Sequence, residues 1–196
     1  MSQLLELVGN TPLVELSRLN PNPKVKIFGK LEGNNPGGSV KDRAAKNMIE
    51  GAIARGELKP GMKLIEATSG NTGIALAMIA RLYDIEIELA MPSNSTRERV
   101  LTMEAFGATV TLTETIESAR DYAVEKAASG EFFMLNQFEN PDNYLAHYKT
   151  TGPEIYRDTK GQVTHFVSSM GTTGTIMGTS MYLKEQNPSI QIIGCQ

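Results

Sequence analysis

Three short stretches of the chain combine hydrogen-bonding or reactive side chains with glycine at spacings that suit chemistry. In Pro36-Gly37-Gly38-Ser39-Val40-Lys41-Asp42-Arg43, two flexible glycines lead into a serine, a lone lysine and an acid–base pair. A helical pattern follows at once through Ala44, Ala45, Met48, Ile49, Ala52 and Ile53. Ser39 with Asp42 reads as an N-cap and its capping-box partner. Lys41 then falls in the first helical turn, where the positive helix end disfavours a second cation by about 0.3–1 kcal/mol. That is too little to make a reactive amine by itself.

The other two stretches look like anion cradles. Thr68-Ser69-Gly70-Asn71-Thr72-Gly73 has two glycines for a tight backbone turn and four neutral hydrogen-bonding side chains, with no Lys or Arg of its own. A helix start behind it would favour a small carboxylate or a phosphate oxygen. Gly171-Thr172-Thr173-Gly174-Thr175 brings successive N–H groups and three hydroxyls to another helix start, which suits a phosphate. It is neither a Walker loop nor a Gly-x-Gly-x-x-Gly dinucleotide fingerprint. Two cradles and one lysine suit a phosphate, a carboxylate and an amine-reactive carbon between them. Pyridoxal phosphate together with an amino acid has all three features.

The elements that must position these stretches alternate. Gly9-Asn10-Thr11-Pro12-Leu13-Val14 is a turn running into an extended segment, and Lys26–Glu32 reads as a strand. The Lys41 helix runs from about Val40 to Arg55 and stops at Gly56. Strands are expected at Lys63–Ala67, Ile85–Met91, Thr109–Thr113 and Phe132–Leu135, with helices at about Thr72–Leu82, Thr96–Phe106 and Ile116–Ala128 between them. Asn140-Pro141-Asp142-Asn143 breaks the pattern, and a helical region from Tyr144 to Thr159 is expected to be interrupted near Gly152-Pro153. Thr164–Ser168, Thr175–Gln186 and Ile190–Gly194 complete a strand–helix–strand unit. Such alternation calls for an α/β fold, two parallel-sheet three-layer units with the second incomplete. Both cradles lie at strand-to-helix connections, where open α/β sheets bind ligands. The final strand lacks the crossover that a parallel strand normally feeds, so a longer protein is expected.

Composition excludes several function classes. The net charge of −3 gives no reason to expect nucleic acid or an anionic membrane as partner. No apolar run approaches the ~20 residues of a membrane span, and Met1–Leu7 lacks the basic start of a signal peptide. The single cysteine, Cys195, agrees with a reducing cytoplasm. His147 and His165 have no cysteine nearby, so no metal site is expected. No Gly-x-Ser-x-Gly elbow supports a hydrolase.

The four motifs Gly9–Val14, Pro36–Arg43, Thr68–Gly73 and Gly171–Thr175, in this order and spacing, resemble the cysteine synthases, which are fold type II (tryptophan-synthase-β-like) pyridoxal-phosphate enzymes. Lys30-Leu31-Glu32-Gly33-Asn34-Asn35-Pro36, Ser39–Arg43 and Ser168–Thr175 are nearer the B than the A branch of that family. The resemblance implies that Lys41 attaches the cofactor and later moves the Cα proton. It implies that Asn71 bonds the cofactor's 3′-oxygen, that Gly171, Thr172, Thr173, Gly174 and Thr175 hold its phosphate, and that Thr68, Ser69, Thr72 and Gln137 hold the substrate carboxylate. The implied reaction is β-replacement on O-acetylserine by sulfide or thiosulfate, in a homodimer. The implied domains are a small one over 37–141 and an incomplete large, cofactor-binding one over 1–36 and 142–196. A serine facing the pyridine nitrogen belongs to a region beyond Gln196. Other readings are a cystathionine β-synthase or serine/threonine dehydratase-like enzyme, and a non-catalytic binding chain.

Overall fold

The computed structural model describes residues 3–196. After a one-turn helix α1 (Gln3–Glu6), strands β1 (Leu13–Glu15) and β2 (Phe28–Lys30) form an antiparallel ribbon with Leu13 opposite Lys30. Then follow α2 (Lys41–Ala54), β3 (Lys63–Ala67), α3 (Asn71–Leu82), β4 (Ile87–Pro92), α4 (Arg97–Ala105), β5 (Thr109–Thr113), α5 (Ile116–Ala128) and β6 (Phe132–Met134). The last part holds α6 (Pro141–Lys149), α7 (Thr151–Asp158), β7 (His165–Ser169), α8 (Gly174–Gln186) and β8 (Gln191–Cys195).

Strands β3 to β6 make one parallel sheet in the order β5-β4-β3-β6, and β7 pairs with β8, also in parallel. The alternation of side chains explains the two covers of the larger sheet. Leu64, Leu89 and Met91 pack with Met48, Ile49, Leu76 and Ile79 of α2 and α3. Ile65, Ala67 and Ala90 face Ala119 and Ala123 of α5 on the other side. β4 is buried along its whole length, as a central parallel strand covered on both faces must be. Helix α2 packs against both α3 and α6, so it bridges the larger sheet and the last part of the chain.

Three local expectations are corrected. Ser39 Oγ accepts from the Lys41 N–H at 3.2 Å, but the Asp42 carboxylate turns back to the Gly37 N–H instead of closing a capping box on Ser39. The helical region expected from about Tyr144 begins three residues earlier, at Pro141. Asn140 Oδ1 accepts from Asp142 N at 2.9 Å, and Pro141 occupies the first turn, where its missing N–H costs nothing. The interruption of the following helical region falls at Thr150, not at Gly152-Pro153, because Pro153 sits in the first turn of α7.

Candidate active site

Lys41 stands at the start of α2 with its side chain half-buried, and burial lowers its pKa below the ordinary lysine value. Its Nζ donates to Thr172 Oγ1 at 3.4 Å. Between them opens a cavity of about 240 Å³ lined by Val40, Lys41 and residues 169 to 175. The loop that forms the far wall follows β7 and opens α8. Thr173 holds a left-handed conformation (φ +63°) as the residue before the helix. Among the described residues the N–H groups of 171 through 176 find no acceptor in the chain. The first to bond back is Met177, to Thr173 O at 2.9 Å. That row of free donors is what an anion needs. Gly174 leaves no room for a side chain, since a Cβ there would overlap the Asn143 amide.

The Thr68–Gly73 loop is tied to this cavity through Asn143 of α6. Thr72 Oγ1 donates to Gln137 Oε1 at 2.9 Å, and Gln137 Nε2 donates to Ala67 O at 3.3 Å. Asn143 Nδ2 donates both to Gln137 O at 2.7 Å and to Thr172 Oγ1 at 3.1 Å. A continuous set of bonds therefore runs from Thr72 through Gln137, Asn143 and Thr172 to Lys41. Thr68 and Thr72 are buried, whereas Ser69 and Asn71 are exposed, and Asn71 lies outside the lining of the Lys41 cavity. Thr175 sits behind the phosphate-type loop, its Oγ1 3.3 Å from His147 Nε2.

Several positioning residues gave no signal in the sequence. His147 is buried, with its Nδ1 2.9 Å from Thr151 Oγ1. Burial, helped by the positive charge of Arg43, pushes its pKa down to about 3, so the ring is neutral and one nitrogen donates while the other accepts. Glu66 on β3 is buried and accepts from Asn136 N at 2.8 Å, which anchors the turn that carries Gln137. Burial raises Glu66 to about 7 against the hydrogen bonds it receives.

Arg43, two residues past the lysine, is the hub of a buried ion network. Its guanidinium grips Glu32 with Nε and Nη2 at 2.8 Å each, and Glu154 of α7 with Nη1 at 2.6 Å and Nη2 at 2.8 Å. Thr11 Oγ1 donates to Glu32 at 2.7 Å, and Lys30 pairs with Glu154 at 2.7 Å. The paired forks are the geometry that guanidinium and carboxylate favour. The network locks the Gly9–Val14 turn, the 30–36 segment, α2 and α7 together, and so fixes where Lys41 begins.

A larger cavity of about 400 Å³, lined by Ile53, Leu58, Tyr83, Ile85 and neighbours, lies at the amino ends of β3 and β4. Ligands of open parallel sheets bind at the opposite, carboxyl ends. Lys41 and both cradles are found there. No group of three or more His, Cys, Asp or Glu that could hold a metal occurs among the described residues, and no described helix is long and apolar enough to cross a membrane.

Residues 4–196 match the family described as pyridoxal-phosphate dependent enzyme. Cysteine synthase B of Escherichia coli (strain K12) is 57% identical over 100% of this chain and 66% of that protein. Cysteine synthase B of Pseudomonas aeruginosa is 56% identical over 98% of this chain and 66% of that protein. The crystal structure of cysteine synthase from Entamoeba histolytica superposes with a TM-score of 0.93 at 43% identity, over 99% of this chain and 60% of that one. The chain thus spans just under two thirds of the length of the curated relatives named here.

Proposed function

The chain belongs to the pyridoxal-phosphate-dependent enzymes, and from that premise we propose that it serves β-replacement on O-acetyl-L-serine, forming L-cysteine from sulfide or S-sulfocysteine from thiosulfate. One observation carries the reading: the Lys41 amine stands in a cavity whose opposite wall is a phosphate-type cradle, and a single set of hydrogen bonds joins both to a carboxylate-type loop. The names of the relatives, cysteine synthases of both bacteria, support it.

The residues present fit the cofactor. The free N–H groups of 171 through 176 and the hydroxyls of Thr172, Thr173 and Thr175 suit a phosphate, and a lysine amine softened by burial suits attachment of an aldehyde. When bound, pyridoxal phosphate supplies an electron sink for the substrate's Cα. Lys41 would hold the cofactor and then move the proton at that carbon. Gly171, Thr172, Thr173, Gly174 and Thr175 would hold the phosphate, and Asn71 would bond the 3′-oxygen. Thr68, Ser69, Thr72 and Gln137 take the substrate carboxylate. Residues 37–141 would form a small domain that closes over 1–36 and 142–196 and excludes water from the reacting carbon. A cytoplasmic homodimer is part of the same reading.

Borohydride reduction of the cofactor-loaded protein, followed by peptide mapping, tests the assignment. The label is expected on Lys41 and absent from Lys41→Ala. A label on another lysine would overturn it.

A further inference from the structure

The Thr68–Gly73 stretch has no cation of its own, yet the fold brings one to it. Arg99 on α4 donates from Nη1 to the carbonyl of Ser69 at 3.0 Å. Its guanidinium also covers Gly70: a Cβ built on that glycine would lie 3.5–3.8 Å from Cζ, Nε and Nη1. Arg99 is exposed, and among the described residues no carboxylate pairs with it within 4.0 Å. A guanidinium has five N–H donors, and one is accounted for. The N–H groups of Asn71 and Thr72 open α3 without acceptors; the first to bond back is Gly73, to Gly70 O at 2.9 Å. An unpaired cation, free helical donors and the buried Thr68 and Thr72 hydroxyls thus converge on one short loop.

We propose that Arg99 is a positioning and specificity residue, which fixes the Ser69–Gly70 peptide and supplies the charge that selects an α-carboxylate on the Thr68–Gly73 loop. The inference rests on the reading of that loop as the carboxylate cradle. A bond to the Ser69 carbonyl holds the peptide plane so that the donors after it point outward together. The charge favours a ligand carrying a carboxylate over the same amine without one. Because Arg99 is exposed and bonds only to main chain here, its removal should leave the fold intact.

The experiment uses the full-length chain loaded with pyridoxal phosphate. L-serine and ethanolamine, which differ by the carboxylate, are titrated by calorimetry into the wild type, Arg99→Gln and Arg99→Lys. The dissociation constant for L-serine is expected to rise about tenfold in Arg99→Gln, with partial recovery in Arg99→Lys and no change for ethanolamine. With O-acetylserine the loss should appear in KM far more than in kcat, and the wild type's extra salt sensitivity of kcat/KM should shrink. Equal weakening of L-serine and ethanolamine, an unchanged L-serine affinity, or a wild type that binds L-serine no better than ethanolamine would each overturn the proposal. Borohydride mapping reports on Lys41 independently, so failure of the cofactor assignment is distinguishable from failure of this one.

Discussion

Replacing Glu154 by glutamine takes one negative charge from a site that gathers two cations, Lys30 and Arg43, and two other carboxylates, Glu32 beside Arg43 and Asp158 at 3.5 Å from Lys30. Burial alone would raise the Glu154 pKa, but hydrogen bonds from Arg43 and Lys30 outweigh it and hold the group at about 2. The folded value lies below the unfolded one, so the stabilisation is present above the ordinary glutamate range and is lost as pH falls towards 2. The gap corresponds to about 3 kcal/mol at most, and water reaching the rim of the site reduces it to about 2 kcal/mol. Glutamine keeps the shape and one carbonyl acceptor, and Glu32 still faces Arg43, so the cost stays below the ~3–5 kcal/mol of an orphaned buried charge. Urea unfolding followed by far-ultraviolet circular dichroism, stepped from pH 7 to pH 3, measures it. Glu154→Gln should be about 2 kcal/mol less stable at pH 7, and the difference should narrow as pH drops below the ordinary glutamate pKa. A difference under about 0.5 kcal/mol at pH 7, or one that does not change with pH, would refute the reasoning.

Two further outcomes follow from burial and close packing. The unfolded chain takes a proton on His147 below about pH 6.5, whereas the folded ring, desolvated and beside Arg43, resists until about pH 3. Stability should therefore fall through that window by up to about 5 kcal/mol, and His147→Gln should flatten that part of the pH profile in the same unfolding assay. In Gly178→Ala a Cβ would overlap the Tyr144 carbonyl and crowd the Tyr148 N–H, forcing α8 off α6. A loss of about 3 kcal/mol is expected in a thermal melt, while Gly33→Ala, whose Cβ meets open space, should stay within about 0.5 kcal/mol.

What the residues disclosed by themselves was local. Gly-rich strand-to-helix turns announce their geometry through residue type, so Thr68–Gly73 and Gly171–Thr175 were legible, as was the sequence of strands and helices around them. The hydrogen bonds that make one site of them were not. Asn143 meets Gln137 only six positions away, but its second partner, Thr172, comes from a different strand end. Arg99 belongs to α4 and reaches Ser69 across the fold, which explains why a loop without a cation in its own sequence has one in space. Asn140-Pro141 misled because Asn and Pro favour turns as well as helix starts, so the helix expected from Tyr144 in fact begins at Pro141. Ser39 and Asp42 misled for a related reason: the Asp42 carboxylate found the nearer Gly37 N–H.

The Arg43–Glu154 pair joins residues 111 positions apart. During synthesis from the amino terminus, the guanidinium beside the lysine leaves the ribosome long before its carboxylate partner exists. Until α7 is made, Glu32 is the one of the two carboxylates gripped by Arg43 that the chain already contains. The entropic cost of closing so long a loop rises only with the logarithm of its length, but contacts of this separation form slowly. Lys41 is therefore among the first residues of its cavity to be made, whereas Thr172, which meets its amine from 131 positions further on, is made only after α7.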